Sequence, residues 1–131
     1  MGMHELRLSV LPGEFSICRR DANTPLEPWM SRGSFSSITR TATELSIVVE
    51  SPHVPEGVKR EDDHAMIRFE GPLPFDLIGI LASVLTPLAE AGISVFVVSS
   101  FDLDYVLLKR SRLAQAVAVL RTAGHSVTSV P

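Results

Sequence analysis

A short motif occurs twice in the second half of the chain, and this repeat constrains the fold more than any other feature. Ala91-Gly92-Ile93-Ser94-Val95 and Ala123-Gly124-His125-Ser126-Val127 match at four of five positions. Each copy follows a run with helical spacing and begins a β-branched run, with glycine where a helix would end. Residues 65–131 are therefore predicted to contain two similar helix-to-strand units.

The segments around the two motifs predict the order β-α-β-β-α-β. Asp76 is the expected N-cap of the first helix, and Gly92 lies just past its end. This order is typical of the ferredoxin-like fold, an α+β architecture with an antiparallel sheet and both helices on one face. The first helix is predicted from apolar residues at spacings of three and four, namely Leu77, Ile80, Leu81, Val84, Leu85 and Leu88.

The first half of the chain is less regular. Apolar residues in 6–11 and 15–17 flank Pro12-Gly13, which predicts two strands joined by a turn and allows a hairpin. A further strand is predicted at 45–49 from its β-branched residues. The charged segment 57–64 is either a boundary or a short surface helix. We therefore expect two units, residues 1–64 and 65–131.

Composition excludes several classes of function. The 131 residues carry a formal charge of −3 and a pI of about 5.8, which argues against a nucleic-acid-binding protein. The apolar stretch 77–98 is interrupted by Pro87, Glu90 and Gly92, so we expect a buried helix and strand and no membrane span. The start of the chain lacks the features of a signal peptide, and a cytoplasmic location is expected.

Candidate metal and catalytic motifs are weak. Cys18 is the single cysteine, which excludes an internal disulfide and a Cys-rich zinc site. The run Glu61-Asp62-Asp63-His64 has ligand-type residues, but adjacent residues rarely converge on one ion, and a solvated acidic loop is expected. No nucleophile elbow, P-loop, zinc-protease or dinucleotide motif occurs. We expect no catalytic residue, metal or cofactor, with a small ferredoxin-like enzyme as a remaining alternative.

Three segments, residues 70–81, 88–96 and 99–107, together resemble an ACT domain. The chain is similar to a family of small bacterial ACT-domain proteins and to the ACT repeats of the CASTOR arginine sensors. Residues 43–48 and 54–55 resemble that family more weakly. The resemblance implies two tandem ACT-like units with antiparallel sheets, the first irregular and extended at its edge by the strand 6–11. It also implies binding of a small molecule, usually an amino acid, and side-by-side pairing into a homodimer.

The resemblance implies a ligand site in the loop between the first strand and first helix, residues 73–79, against a partner unit. Gly79 would admit a ligand or merely allow close helix packing. Asp102 and Asp104 would meet a ligand cation or serve a turn, and Ser99 and Ser100 would donate to a ligand or to their own backbone. Leu103 stands where the family has threonine. The candidate ligand-binding residues are Phe75, Asp76, Ile78, Gly79, Ser99, Ser100, Asp102 and Asp104.

These features together favour a non-catalytic regulatory protein that binds an amino acid. The alternative is a pure interaction or dimerisation module whose ligand site is degenerate. Leu103 favours the alternative, whereas Gly79, Asp102 and Asp104 favour ligand binding.

Overall fold

The computed structural model describes residues 5–71, 73 and 78–130. Within them the chain forms eight strands, two α-helices and three short 3₁₀ helices. The strands are β1 Arg7–Val10, β2 Phe15–Arg20, β3 Ser36–Arg40, β4 Leu45–Glu50, β5 Lys59–Phe69, β6 Phe96–Ser99, β7 Asp104–Lys109 and β8 Ser126–Ser129. The α-helices are α1 Ile80–Glu90 and α2 Leu113–Thr122, and the 3₁₀ helices are Pro28–Ser31, Ser51–His53 and Arg110–Arg112.

The described residues divide into two compact units. We name residues 13–64 the inserted unit, and residues 5–12 with the described residues from 65 onward the split unit. Strand β5 contributes residues 59–64 to the first and 65–69 to the second. The predicted division into 1–64 and 65–131 is wrong for residues 5–12, because β1 pairs with strands of the split unit.

The inserted unit is an antiparallel sheet in the strand order β3-β4-β2-β5. Residues 13–64 contain no α-helix, so the predicted ACT-like character of this half stays a prediction. Segment 57–64 is not a surface helix, because β5 begins at Lys59 and pairs with β2. The core of the inserted unit consists of Cys18, Trp29, Met30, Leu45, Ile47 and Val49.

The acidic run Glu61-Asp62-Asp63-His64 lies inside strand β5, so the expected loop is wrong. Asp62 accepts a 2.5 Å hydrogen bond from the Ser16 hydroxyl and lies 3.4 Å from the Arg60 guanidinium. The run therefore takes part in strand pairing and in contacts with neighbouring side chains. Over residues 5–71, 73 and 78–130, no group of three His, Cys, Asp or Glu residues is placed to hold a metal ion.

The split unit has the predicted β-α-β-β-α-β order in β5, α1, β6, β7, α2 and β8, which confirms the ferredoxin-like fold. Strands pair in the order β6-β7-β5-β1-β8. The two helices pack against a core drawn from the sheet and from both helices, including Leu8, Phe69, Val84, Leu88, Val106, Leu108, Leu120 and Val127. Among the described residues no helix combines the length and apolarity needed to cross a membrane.

Strand β1 lies between β5 and β8, antiparallel to the first and parallel to the second. The predicted hairpin is wrong, because β2 pairs with β4 and β5 and β1 with β5 and β8. The expected position at the edge of the N-terminal unit is wrong too. A strand between two neighbours has both backbone edges hydrogen-bonded, and it buries Leu8 to 1% exposure.

The repeated motif of the sequence is a repeated helix ending. After α1, the Gly92 and Ile93 amides donate to the carbonyls of Ala89 and Leu88 at 3.0 and 2.9 Å. After α2, Gly124 and His125 donate in the same way to Arg121 and Leu120, both at 3.0 Å. These are Schellman motifs, and the two glycines have φ of +74° and +102°. The glycine positions predicted from the sequence are confirmed.

His125 fills the position that Ile93 has in the first motif, and it bonds to two distant parts of the split unit. Its Nδ1 accepts the Leu6 amide at 3.0 Å, so Nε2 carries the proton and donates to the Ser83 carbonyl at 2.7 Å. That carbonyl is the i−4 partner of Pro87, which has no amide hydrogen to give it. The imidazole, 5% exposed, therefore replaces a missing helix hydrogen bond.

Glu70 ties the end of β5 to β1. Its amide donates to the Arg7 carbonyl at 2.8 Å, and its Oε2 accepts from Arg68 Nε at 2.9 Å. A hydrogen bond from the Ser9 side chain, together with Arg68, holds the pKa of this carboxyl below its ordinary value. The ionised carboxylate therefore stabilises the position of β1.

We predict that His125→Leu lowers the free energy of unfolding by about 2–4 kcal/mol, because a buried amide and a buried carbonyl lose their partners. In a Pro87→Ala background the cost should fall by about 1 kcal/mol or more, since alanine at this position supplies the amide hydrogen that the Ser83 carbonyl lacks. Urea unfolding of the four proteins of this double-mutant cycle measures the coupling. His53→Leu, at a half-buried 3₁₀ position, is the control. If His125→Leu lowered the free energy of unfolding equally in both backgrounds, the hydrogen bond from His125 to the Ser83 carbonyl would not replace the one that Pro87 cannot make.

We predict that Glu70→Gln lowers the free energy of unfolding by about 1 kcal/mol at pH 7. A carboxyl whose folded pKa is depressed contributes stability above its unfolded pKa, and this contribution disappears as the pH falls through the folded pKa. The difference between wild type and variant should therefore shrink below about pH 4. Denaturant unfolding between pH 3 and 7 tests this, with the half-buried Glu44→Gln as control; a difference independent of pH would refute the charge-based account.

Candidate ligand site in the split unit

The predicted ligand loop, residues 73–79, is described at Leu73, Ile78 and Gly79, whereas Phe75 and Asp76 lie outside the described residues. The Leu73 amide points to the Asp102 carbonyl at 3.4 Å. This contact brings the β5–α1 loop against the β6–β7 turn. The two predicted groups of site residues therefore belong to loops that touch each other.

Gly79 has a left-handed backbone with φ +85° and ψ +7° and is the N-cap residue of α1, in place of the predicted Asp76. Its carbonyl accepts the Ser83 amide at 3.0 Å and the Ser83 hydroxyl at 2.9 Å. A side chain is strained at this φ, so the backbone alone requires glycine here. This reason differs from both expected ones, ligand approach and helix packing, and neither is needed to explain the residue.

Polar side chains of the β6–β7 turn bond to one another. The Ser99 hydroxyl donates to Asp104 Oδ1 at 2.5 Å, between residues that face each other across the two strands. The Ser100 hydroxyl donates to the Leu103 carbonyl at 3.1 Å and accepts the Leu103 amide at 3.2 Å. Of the two interpretations for Ser99, Ser100 and Asp104, turn chemistry accounts for each of these hydrogen bonds.

Asp102 differs from its neighbours in the turn. Its side chain is exposed, and its carboxylate has no hydrogen-bond or ion-pair partner among residues 5–71, 73 and 78–130. Leu103, where the resembled family has threonine, lies against Gly71, where an added Cβ would collide with the leucine side chain. The hydroxyl that the family would offer is thus replaced by an apolar contact between the two loops.

Two large apolar side chains on these loops are exposed to solvent. Ile78 is 86% exposed and Phe101 is 81% exposed. Ile78 was a predicted site residue, and Phe101 was missed, although an aromatic residue between Ser100 and Asp102 in a polar turn was a visible signal. Exposed apolar side chains mark a contact surface when they form a contiguous patch, and singly they are common on protein surfaces. The arrangement therefore offers one carboxylate, two apolar side chains and backbone groups for binding.

Comparison with known proteins finds matches in both units of the chain. Residues 59–122 match a family model described as an ACT domain, and residues 13–57 match a model described as an N-terminal domain. The human "Cytosolic arginine sensor for mTORC1 subunit 1" is 35% identical over 65 residues. That match covers 49% of this chain and 20% of the human protein, so the chain spans about a fifth of this curated relative.

Solved structures resemble the chain over nearly its whole length. An Agobacterium tumefaciens protein is 38% identical with a TM-score of 0.92, and the match covers 98% of this chain and 96% of that one. The ligand-free regulatory subunit of aspartate kinase from Thermus thermophilus has a TM-score of 0.62 at 12% identity, covering 88% and 96%, and shows the fold alone. The family model and the solved structures thus agree with the fold described above. Residues 59–122 therefore form an ACT domain, and the chain belongs to one family with the Agobacterium tumefaciens protein.

Proposed function

We propose that this chain is a non-catalytic regulatory protein that binds an amino acid between the β5–α1 loop and the β6–β7 turn of the split unit. The observation that carries the proposal is the Asp102 carboxylate, which is exposed and without a described partner on a turn that touches the ligand loop. A carboxylate binds an ammonium or guanidinium group through charge-assisted hydrogen bonds. The human relative is named an arginine sensor, so arginine is the first amino acid to test.

The regulatory effect requires two states with different affinity for the ligand. Ile78 and Phe101 are both exposed on the ligand loops. In the proposed function they contact a second protein, and this contact differs between the ligand-bound and ligand-free states. We take the partner to be a second copy of the chain, in side-by-side pairing, so that ligand and dimer contacts share these loops. The buried single thiol Cys18 fits the proposed cytoplasmic location.

A second candidate function has its own supporting observation. Leu103 occupies the place of a family threonine, and the hydroxyls of Ser99 and Ser100 are engaged within the turn. A protein that kept the ACT fold but lost its ligand would retain these features and the exposed Ile78 and Phe101. It would act as an interaction module, and a test of amino-acid binding separates it from a sensor.

We expect arginine, or another amino acid, to raise the melting temperature by about 5–10 °C at 100 times its dissociation constant, because binding adds about 2.7 kcal/mol to the folded state. Asp102→Asn should weaken binding of a cationic amino acid by about tenfold or more. The matched control is Asp21→Asn, an exposed aspartate of the inserted unit. No shift with any of the twenty amino acids would reject the sensor and favour the interaction module.

We expect the chain to form a dimer. Phe101→Ser should weaken the association by at least about tenfold, because the substitution removes a large apolar side chain that the dimer would bury. Sedimentation equilibrium measures the association. Leu26→Ser, which removes an apolar side chain 60% exposed on the inserted unit, is the control and should leave association unchanged. A monomeric wild-type chain, or equal effects of the two substitutions, would reject pairing through this turn.

A further inference from the structure

A cavity of about 390 Å³ lies entirely within the inserted unit, and nothing in the proposed function uses it. One wall comes from Arg20 at the end of β2 and from Glu27 and Trp29 at the first 3₁₀ helix. The other wall is the segment 55–58 that leads into β5. A cavity of this size is in the range that holds small molecules.

A fixed ion pair forms the first wall. Glu27 Oε1 accepts the Trp29 indole N–H at 2.8 Å and an Arg20 Nη1 hydrogen at 3.0 Å. The indole hydrogen bond, with Arg20 beside it, lowers the pKa of Glu27, so the carboxylate is ionised at neutral pH. Trp29 is itself 6% exposed and anchored in the core. The guanidinium is therefore held at the cavity without any ligand.

Arg20 retains unused donors. A guanidinium has five N–H groups, and only the one directed to Glu27 has a partner among the described residues. The planar fork of arginine suits a carboxylate, which accepts two parallel N–H bonds. A carboxylate on the ligand would satisfy the donors that the inserted unit leaves open.

Glu56 gives the second wall a negative charge. It is exposed, and its carboxylate has no partner in the described part of the chain. The three charged groups of the cavity, Arg20, Glu27 and Glu56, sum to −1. A bare anion would meet net repulsion, whereas a ligand that also carries an ammonium group has no net charge and avoids this repulsion.

The second wall is also held in place before binding. Arg60 Nη1 donates to the carbonyls of Val54 and Pro55 at 3.3 and 3.5 Å. Val54 and Val58 pack against the core of the inserted unit. Rigid walls reduce the ordering cost of binding a small ligand. The apolar surfaces of Trp29, Pro55 and Val58 remain for an apolar side chain.

We propose that this cavity is a second small-molecule site, which binds a zwitterionic amino acid with an apolar side chain. The ligand carboxylate bonds to Arg20, its ammonium group to Glu56, and its side chain lies against Trp29, Pro55 and Val58. The site is independent of the β6–β7 turn in the split unit. The inserted unit is thereby a ligand-binding module in its own right.

Trp29 is the only tryptophan of the chain, so one indole N–H resonance reports on the cavity. We expect L-leucine, titrated to about 20 mM into the ¹⁵N-labelled full chain, to shift this resonance saturably, which corresponds to millimolar or tighter affinity. Isoamylamine lacks the carboxylate and 4-methylpentanoate lacks the ammonium group, so neither should saturate over the same range. The site would be overturned if leucine gave no saturable shift, or if the two analogues gave shifts as large as that of leucine.

Two variants and two controls locate the site. Arg20→Gln and Glu56→Gln should each weaken leucine binding by about tenfold, because each removes one charged partner of the ligand. Arg19→Gln and Glu44→Gln change charges of the inserted unit that do not line the cavity, and these variants should bind as wild type. Glu56 lies in an exposed segment, so its variant keeps the test valid if loss of the Arg20 ion pair disturbs folding. Wild-type affinity in Glu56→Gln would overturn the assignment.

The same spectra separate this proposal from the split-unit site. The Trp29 shift should persist in Asp102→Asn, and amides 99–104 should report any ligand at the turn. Loss of the Trp29 shift in Asp102→Asn would overturn an independent second site. Absence of an effect at 99–104 when arginine is titrated, with a normal Trp29 shift from leucine, would count against the proposed function alone.

Discussion

The split unit depends on the two hydrogen bonds that the buried His125 imidazole makes. The imidazole bonds the Ser83 carbonyl in α1 and the Leu6 amide ahead of β1, residues that lie 42 and 119 positions away in the chain. Both bonds require the neutral ring with its proton on Nε2. Pro87 creates the need, because it cannot donate to Ser83. One side chain therefore completes the helix hydrogen bonding and fixes the entry of the strand that completes the sheet.

Around the ligand loops, most polar side chains are engaged with their own turn. Ser99, Ser100 and Asp104 close the β6–β7 turn, and Leu103 packs the turn onto Gly71. These contacts hold the backbone of the turn, whereas the exposed Asp102 carboxylate is left without a partner among the described residues. In the proposed function, binding at this turn would rest on one carboxylate, so the choice of ligand would depend strongly on its cationic group.

Local features of the fold were predictable from the sequence. Apolar spacing identified the segment of α1. The repeated Ala-Gly motif identified both helix ends, because a Schellman motif favours glycine directly after the C-cap residue. The resemblance in residues 70–107 identified the family. These signals all act over short sequence distances, so a single sequence is sufficient to see them.

Long-range pairing was not predictable in the same way. The residues of β1 fit a strand in any sheet. Nothing in residues 6–11 indicates that β5 and β8 are their neighbours. The sequence therefore allowed a hairpin with β2, the next strand along the chain. At the candidate site, the residue types of Ser99 and Ser100 suited a ligand and a turn equally. Only the observed hydrogen bonds distinguish the two, while Phe75 and Asp76 lie outside the described residues.

The placement of β1 has a consequence for how the chain folds during synthesis. Residues 13–64 are contiguous, so the inserted unit has all its strand partners once β5 has left the ribosome. Strand β1 emerges first, yet its parallel partner β8 emerges last, and a contact between such distant segments carries a large loop-closure cost. The split unit therefore closes after the inserted unit, and its first strand keeps one edge unpaired until translation of β8 is complete.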